Sequence, residues 1–295
     1  MIGTVKTFSL GGVHPEENKL SANAPIVRIP VPKQAFIPMG QNLGTPSKPI
    51  VNKGDMVKVG QLIAEAGGFI STNIHSPVSG KVLKIDHIVD ATGYKRTGII
   101  INVDGDEWEE NIDLSDDIKE DIELDPKEII EKIKEKGIVG MGGATFPTYV
   151  KLMPPPGKVA EYLLINGVEC EPYLTSDHRL MLEKGKEVLI GTRILMKALK
   201  VEKAILGIEV NKPDAINHLN ELAKKYEDIK IQPLKVQYPQ GGEKQLIKAA
   251  LNREVPSGKL PIEVGCVVQN VGTAFAVYEA VQKNKPLIER VVSVT

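Results

Sequence analysis

The second half of the chain alternates short apolar runs with helix-spaced segments, and this alternation restricts the fold more than any other feature. The apolar runs cover 162–166, 203–210, 229–236 and 264–268. The helical segments between and after them cover 177–200, 213–226 and 273–283. Strands that alternate with helices pair in parallel, because parallel neighbours need a long crossover connection. The pattern predicts an α/β domain with a Rossmann-like parallel sheet and helices on both faces.

A glycine-rich loop precedes the first of these strands. It reads G-M-G-G-A-T-F-P-T-Y-V-K and contains Gly140, Gly142 and Gly143. Glycine allows a close approach of the backbone to a ligand, and the N–H groups of such a turn can face a phosphate. Lys151 adds a cation nearby. The spacing is not the dinucleotide pattern G-x-G-x-x-G, so by itself the loop is equally typical of an ordinary turn.

Polar residues cluster where the predicted strands end. Ligands of open α/β sheets bind at the carboxyl ends of the strands, so we expect these residues to converge on one site with Ala144 and Phe146 of the loop. The strand-end candidates are Asn166, Glu169, Glu171, Gly242, Glu243, Lys244, Gln269, Asn270 and Thr273.

Residues 25–103 read as a β-rich domain. Predicted strands cover 26–29, 61–64, 80–85 and 98–103. The segment V-N-K-G-D-M-V-K-V-G-Q-L-I-A-E followed by H-S-P-V-S-G-K-V resembles the biotinyl/lipoyl-like barrel-sandwich hybrid. Carriers of that type hold their prosthetic group on a lysine at the hairpin tip, but no lysine lies between Lys58 and Lys81. We therefore expect a scaffold and not a swinging carrier.

The chain divides into four predicted regions. They are an N-terminal arm with the barrel-sandwich domain (1–105), an acidic linker (106–125), the α/β domain (126–286) and the start of a further domain (287–295). The segment Asp104–Asp125 holds 12 of the 38 acidic residues, and it is either a docking strip or a solvated linker. After it, Asp125 and Pro126 predict a helix start and Gly137 a helix stop.

Composition and cysteine content exclude several classes of function. No apolar run approaches a membrane span, and no signal peptide precedes the first domain, so the expected compartment is the cytoplasm. Outside the acidic segment, 36 cations face 26 anions, which suits an anionic ligand such as a dinucleotide. Scattered cations with 4% aromatic residues do not indicate nucleic acid. Cys170 and Cys266 cannot supply the ligands of an iron–sulfur cluster, and no metal site is predicted.

The glycine-rich loop, the segment N-G-V-E-C-E-P and the loop Y-P-Q-G-G-E-K together resemble a known family. They are similar to the flavin-binding, 51-kDa-type NADH dehydrogenase subunit of respiratory complex I, and more closely to the RnfC family of Rnf electron-transport complexes. The resemblance spans essentially the whole chain. It implies a non-covalent FMN site that also receives NAD(H).

The resemblance also implies a role for each group of residues. Lys151 and the glycine amides would hold the flavin phosphate and ribityl chain. Asn166, Asn270 and Glu169 would bind the ribityl hydroxyls and the isoalloxazine edge. Phe146 would stack on a nicotinamide or adenine ring, and Glu171 would accept from the NADH ribose or adenine. No general acid, base or nucleophile is needed for hydride transfer, in which the protein supplies orientation and electrostatics.

Two positions depart from the complex I motifs. Val168 replaces a carboxylate near the flavin, and Lys244 replaces the second glutamate of the G-E-E loop. RnfC-like proteins also carry iron–sulfur clusters in a C-terminal ferredoxin-like region, which this sequence does not include.

The expected function is that of an NAD(H)- and FMN-binding electron-transfer subunit of an ion-translocating ferredoxin:NAD+ oxidoreductase. Its partners would be the other subunits of the membrane-bound complex and, indirectly, ferredoxin. We expect a peripheral position on the inner face of the cell membrane. Two alternatives stay open. One is a soluble RnfC-like reductase, such as a cobalamin reductase or an electron donor to an amino-acid reductase, and the other is a flavin-free docking module.

Overall fold

A computed structural model describes residues 3–89 and 93–295, and its N-terminal half is a β-rich unit. Its strands are β1 (Gln34–Pro38), β2 (Lys48–Pro49), β3 (Met56–Val57), β4 (Leu62–Glu65), β5 (Ile74–His75), β6 (Gly80–Val89) and β7 (Lys95–Val103). They form two antiparallel sheets, ordered β1-β7-β6-β3 and β2-β4-β5, around a core that includes Ile63, Ile99 and Ile101. The predicted barrel-sandwich architecture is confirmed.

One predicted strand of this region is wrong. Residues 26–29 are not paired with any strand of the described chain, and the first strand begins at Gln34. Prolines at positions 25, 30 and 32 surround the run, and proline has no N–H to give to a sheet. The Ile26 N–H instead donates to the Glu183 carboxylate at 3.0 Å, while Val27 and Ile29 are exposed.

The second half of the chain is a parallel α/β domain, as predicted. Its strands are β8 (Tyr162–Asn166), β9 (Ala204–Glu209), β10 (Ile229–Leu234) and β11 (Cys266–Asn270). Its helices are α1 (Pro126–Glu135), α2 (Thr148–Lys151), α3 (Ser176–Glu183), α4 (Gly185–Leu199), α5 (Pro213–Ala223), α6 (Glu243–Leu251) and α7 (Val271–Gln282), with a 3-10 turn at Pro261–Val264.

The strand order is β10-β9-β8-β11, and every neighbouring pair is parallel. From β8 the chain moves through β9 and β10 on one side, and then returns to place β11 on the other side of β8. The topological switch point of the sheet therefore lies between β8 and β11, where ligands of such sheets bind. Side chains alternate across β8, with Leu163 and Ile165 in the larger core and Leu164 in the smaller core under α6.

The predicted helix boundaries hold at α1 and fail at α3. Asp125 caps α1 by accepting from the N–H groups of Lys127 and Glu128, and the Glu128 carboxylate in turn accepts from the Asp125 N–H. The predicted single helix 177–200 is wrong, because Lys184 has non-helical dihedrals and separates α3 from α4. Gly185 follows this break, and glycine favours an interruption of a helix.

The acidic segment 104–125 is irregular and partly ion-paired. Asp113 contacts Lys119 at 2.7 Å and the buried Lys283 at 3.2 Å, and Glu120 contacts Lys225 at 2.6 Å. The hydrogen bond from Lys119, followed by those from the Ser115 hydroxyl and N–H and from Lys283, lowers the pKa of the Asp113 carboxyl. Part of the segment therefore fastens the chain to the end of α7.

Close contact between α4 and α7 depends on Gly191. A Cβ added to Gly191 would lie 1.9 Å from the Ala274 carbonyl oxygen. Because that neighbour is backbone, a side chain can be accommodated only if one helix shifts. The position of α7 matters for the site, since its first residues lie at the switch point.

We predict that Gly191→Ala lowers the free energy of unfolding by about 1–3 kcal/mol, because overpacking outweighs the gain in helix propensity. Urea unfolding followed by circular dichroism measures the change. The matched control is Gly40→Ala, where the added Cβ meets its nearest neighbour at 3.9 Å and should change the stability little. Equal stability of both variants would contradict the packing argument.

Candidate functional site

The switch point between β8 and β11 is bordered by two asparagines. Asn166 ends β8 and Asn270 ends β11, and the two are register partners in the sheet. The Asn270 side chain accepts from the Gly272 N–H at 2.8 Å and so caps α7. Its Nδ2 donates to the Asp177 carboxylate at 2.7 Å and to the Asn166 carbonyl at 3.4 Å. One side chain thus joins β8, β11, α3 and α7.

The glycine-rich loop lies beside this pair of asparagines. The Gly140 N–H donates to the Phe146 carbonyl at 2.8 Å, and the Met141 N–H donates to the Thr273 hydroxyl of α7 at 2.9 Å. A Cβ on Gly142 would lie 3.6 Å from the Asn270 Cβ. The loop is therefore fastened to the start of α7, directly at the switch point.

The tip of the loop offers unused hydrogen-bond donors. Gly142, Gly143 and Ala144 are exposed, and within the described residues their N–H groups meet no acceptor. Gly143 has φ of 118°, a conformation that glycine adopts without a steric penalty. Adjacent free N–H groups of this kind are suited to bind an anion.

Lys151 and Glu243 are brought together, although they are far apart in the sequence. The Lys151 ammonium at the end of α2 contacts the Glu243 carboxylate at 2.7 Å and the Val268 carbonyl at 3.1 Å. Gly242 is the N-cap residue of the helix that begins with Glu243. Lys244 is directed elsewhere, because its ammonium donates to the Pro256 carbonyl at 3.1 Å.

The loop after β10 is fastened to the end of β8. The Asn166 Nδ2 donates to the Gly241 carbonyl at 2.8 Å, and the Gly241 N–H donates to the Cys170 sulfur at 3.4 Å. A Cβ on Gly241 would approach that sulfur to 3.3 Å. The candidates near Gly242 and those after β8 therefore belong to one connected surface.

The two glutamates after β8, Glu169 and Glu171, differ in burial and in their hydrogen bonds. Glu169 is buried, and its carboxylate accepts from the N–H groups of Asp177 and His178 at 2.8 and 3.2 Å. The Ser176 hydroxyl donates to the same carboxylate at 3.2 Å, so this side chain caps α3. Glu171 is exposed, with its carboxylate 4.0 Å from the Cys170 sulfur.

Two buried polar groups beside the glycine loop have no partner. The Gln269 side-chain nitrogen and the Thr148 hydroxyl meet no hydrogen-bonding group in the described part of the chain. Gln269 precedes Asn270, and Thr148 begins α2. A buried polar group without a partner is uncommon, so these atoms favour a ligand or bound solvent nearby.

Two cavities border the candidate site. One, of about 260 Å³, lies between the N-terminal arm and the strand ends, and its walls include Lys19, Cys170 and Glu209. The other, of about 280 Å³, lies between the barrel-sandwich domain, the glycine loop and residues 287–290. Both cavities have walls formed by loops that also carry the candidate residues.

Two family models match the chain. Residues 6–106 match the RnfC barrel-sandwich hybrid domain, and residues 133–279 match the Nuo51 FMN-binding domain. The chain is 50% identical over 295 residues to the C subunit of the proton-translocating ferredoxin:NAD(+) oxidoreductase complex of Clostridium ljungdahlii, covering 99% of this chain and 63% of that relative. It is 42% identical over 287 residues to the C subunit of the Na(+)-translocating ferredoxin:NAD(+) oxidoreductase complex of Acetobacterium woodii, covering 97% of this chain and 64% of that relative.

The chain belongs to the RnfC family. The resemblance predicted from its motifs is therefore confirmed, and the segment that matches the FMN-binding domain contains every candidate residue. This match supports binding of FMN and of an NAD-related ligand. The chain spans 63–64% of the length of these two relatives, which is less than two thirds.

A solved structure with partial similarity is a chain of an NAD+-reducing NiFe-hydrogenase in the H2-reduced state. It shares 25% identity, with a TM-score of 0.46 over 54% of this chain and 31% of that one.

None of the helices in the described ranges of this RnfC-family chain has the length and hydrophobicity needed to cross a bilayer.

Sequence reasoning missed two residues of the candidate site. Lys19 of the N-terminal arm donates to the carbonyls of Glu169, Glu171 and Leu174 at 2.7–2.8 Å, and so holds the loop after β8. Asp177 binds Asn270 at the switch point. No spacing rule connects an arm residue with a distant strand-end loop, whereas the position of Asp177 at the start of a helix after such a loop was a usable signal.

Burial, and after it the charge of Glu169, raises the pKa of the Asp177 carboxyl to about 7. The hydrogen bond from Asn270 and the cations Arg290 and Lys212 act in the opposite direction. A carboxyl whose pKa is higher in the folded state stabilises the fold at low pH. That contribution is lost as the pH rises through the folded-state pKa.

We predict that wild-type protein loses about 1–2 kcal/mol of unfolding free energy relative to Asp177→Asn as the pH rises from 5.5 to 8. The asparagine keeps the shape and an acceptor for Asn270 but does not titrate. Urea unfolding of both proteins at each pH gives the difference. A pH-independent difference would show that Asp177 does not titrate in this range.

Proposed function

We propose that this chain binds FMN and NAD(H) at the carboxyl edge of its parallel sheet and exchanges hydride between them. It would do so as the RnfC-type subunit of an ion-translocating ferredoxin:NAD+ oxidoreductase complex. The observation that carries the proposal is the juxtaposition of unused loop amides with Asn166 and Asn270 at the switch point. This arrangement lies inside the segment that matches an FMN-binding domain.

The residues present fit the chemistry of FMN. The free N–H groups of Gly142, Gly143 and Ala144 are donors for the phosphate, and Lys151 supplies a cation. The unpartnered Gln269 nitrogen is a buried donor for a ribityl hydroxyl or a flavin carbonyl. When bound, the flavin accepts or returns a hydride, and the chain's own residues orient it and exclude water.

Two contacts of the Lys151 ammonium fix its position. An ammonium has three N–H groups, and two of them are used on Glu243 and Val268. One N–H is left for a phosphate oxygen, while the contacts restrict the side chain. Glu243 would then position the lysine and lower the net positive charge of the site.

The NAD(H) end of the site would use Phe146 and Glu171. Phe146 follows the free loop amides, and the Glu171 carboxylate is exposed and available to accept from a ribose or adenine. The resemblance implies that Glu169 contacts the flavin. We propose a different role, because both of its carboxylate oxygens already accept hydrogen bonds at the start of α3. We propose that it shapes the loop on which Glu171 lies.

Electron transfer to ferredoxin would use clusters outside these 295 residues. Burial raises the pKa of the Cys170 and Cys266 thiols to about 11, which disfavours the thiolate that a cluster needs. No group of three or more His, Cys, Asp or Glu in the described ranges is arranged to hold a metal ion. We also propose that the chain binds other subunits of the complex and lies at the periphery of the membrane, on its cytoplasmic face.

The test is FMN titration of the purified chain, followed by anaerobic mixing of the flavin-loaded protein with NADH in a stopped-flow instrument. We expect stoichiometric FMN binding and bleaching of the flavin band by NADH. Ferricyanide should be reduced and ferredoxin should not. A protein that does not bind FMN would overturn the proposal in favour of a docking module.

We predict that Lys151→Ala weakens FMN binding by about 1.5–3 kcal/mol, because a charge-assisted contact to the phosphate is lost. Isothermal titration with FMN and with riboflavin, which lacks the phosphate, measures the effect. The control is Lys158→Ala, which removes another glutamate-paired lysine on the surface, 2.6 Å from Glu263. The assignment fails if Lys151→Ala weakens riboflavin binding as much as FMN binding.

A further inference from the structure

Two loops of the barrel-sandwich domain form a single unit, which we call the barrel pad (residues 41–45 and 66–73). The Thr45 N–H donates to the Ile70 carbonyl at 2.9 Å, and the Ser71 hydroxyl donates to the Thr45 carbonyl at 2.7 Å. A Cβ on Gly44 would lie 2.2 Å from the Ile70 carbonyl oxygen. Because the loops are hydrogen-bonded and in close contact, they form one connected unit.

The barrel pad contacts the helix that follows the glycine loop. The hydroxyl of the buried Tyr149 in α2 donates to the Phe69 carbonyl. The two rings meet edge to face, with centroids 6.3 Å apart and planes at 84°. Lys151 lies two residues further along the same short helix, so the pad helps to fix the position of the proposed phosphate-binding lysine.

The pad also contacts the glycine loop itself. The Leu43 N–H donates to the Thr145 carbonyl at 3.1 Å. Thr145 has φ of 48°, a left-handed conformation that a threonine adopts only when its surroundings hold it there. This bond fixes the end of the loop next to Phe146.

A third contact lies on the helix that precedes the loop. The Asn73 Nδ2 donates to the Glu135 carbonyl at the end of α1 at 3.2 Å. Gly137, with φ of 68°, approaches so closely that an added Cβ would lie 2.3 Å from the Asn73 carbonyl oxygen. The pad therefore touches the chain before, within and after the glycine loop.

The loop's own contacts are few for a segment with three glycines. Gly140 bonds within the loop, and Met141 bonds to Thr273. A glycine-rich loop has much conformational freedom to lose on ligand binding, so prior fixation by a neighbour increases affinity. A site is more precise when surrounding residues hold its contact residues in place.

We propose that the barrel pad holds the glycine loop and α2 in the conformation that accepts the flavin phosphate. This inference rests on the proposed FMN site and deepens it. The hairpin tip at Phe69 occupies the place where a carrier domain presents its lysine, and here it docks on the other domain. The barrel-sandwich domain is thus a positioning part of the cofactor site, with Tyr149 and Phe69 as the positioning residues.

The experiment compares Tyr149→Phe with Tyr278→Phe in the full chain. Both variants remove one buried tyrosine hydroxyl bonded to a backbone group, since the Tyr278 oxygen accepts from the Lys119 N–H at 3.2 Å. Of the two tyrosines, Tyr149 contacts the barrel pad and Tyr278 does not. For each variant, hydrogen exchange of the Gly140 and Met141 amides without ligand and the affinity for FMN are measured well below the unfolding temperature.

We expect Tyr149→Phe to speed exchange of the two hydrogen-bonded loop amides, those of Gly140 and Met141, and to weaken FMN binding about three- to tenfold, the effect of losing one hydrogen bond that fixes the loop. Tyr278→Phe should change neither. Phe69→Ala, at a residue that is 69% exposed and tolerant of change, should act in the same direction through loss of the ring contact.

The outcomes separate the two proposals. Wild-type protein that binds no FMN overturns the proposed function, while the exchange data still test the pad. If Tyr149→Phe and Phe69→Ala exchange hydrogen and bind FMN as the wild-type protein does, the positioning role is overturned. Equal acceleration in Tyr149→Phe and Tyr278→Phe overturns it as well, because that result indicates general loosening.

Discussion

Asn270 ends β11 and begins α7, and the arrangement of the whole site depends on its side-chain amide. The oxygen caps α7, while the nitrogen reaches Asp177 in α3 and the Asn166 carbonyl at the end of β8. Loss of this amide would leave helix and carboxylate groups without partners in a half-buried environment, which costs more than the bonds themselves contribute. The glycine loop depends on it indirectly, since that loop is fastened to Thr273 in the first turn of α7.

The loop after β8 is held by polar contacts from two directions. From inside, Glu169 caps α3 with its carboxylate while its own backbone has φ of 49°. From outside, Lys19 binds three carbonyls of the same loop. Partial burial and the nearby Lys212 cation lower the pKa of the Lys19 ammonium, so its contacts with carbonyls compensate for lost hydration. The N-terminal arm therefore helps to hold the candidate site in its conformation.

The two domains are joined around the glycine loop. The barrel pad contacts α1, the loop and α2, while Asp113 of the acidic segment binds Lys283 after α7. The Leu287 N–H donates to the Lys136 carbonyl at 3.0 Å, which brings the last segment to the same junction. The proposed cofactor site thus lies where several separate pieces of the chain meet, and its geometry depends on all of them.

The sequence by itself determined the features that have a local period or a fixed spacing. Alternating strands and helices predicted the parallel sheet, Asp125 and Pro126 marked the start of α1, and strand-end motifs marked Asn166 and Asn270 as candidates. Local patterns failed at 26–29, where flanking prolines removed donors, and at Lys184, where a break precedes a glycine. Only the tertiary structure decided that Glu169 caps a helix, that Lys19 reaches the loop after β8 and that Tyr149 meets Phe69. Such contacts join residues of unrelated spacing, so chain folding sets them and no periodicity in the sequence records them.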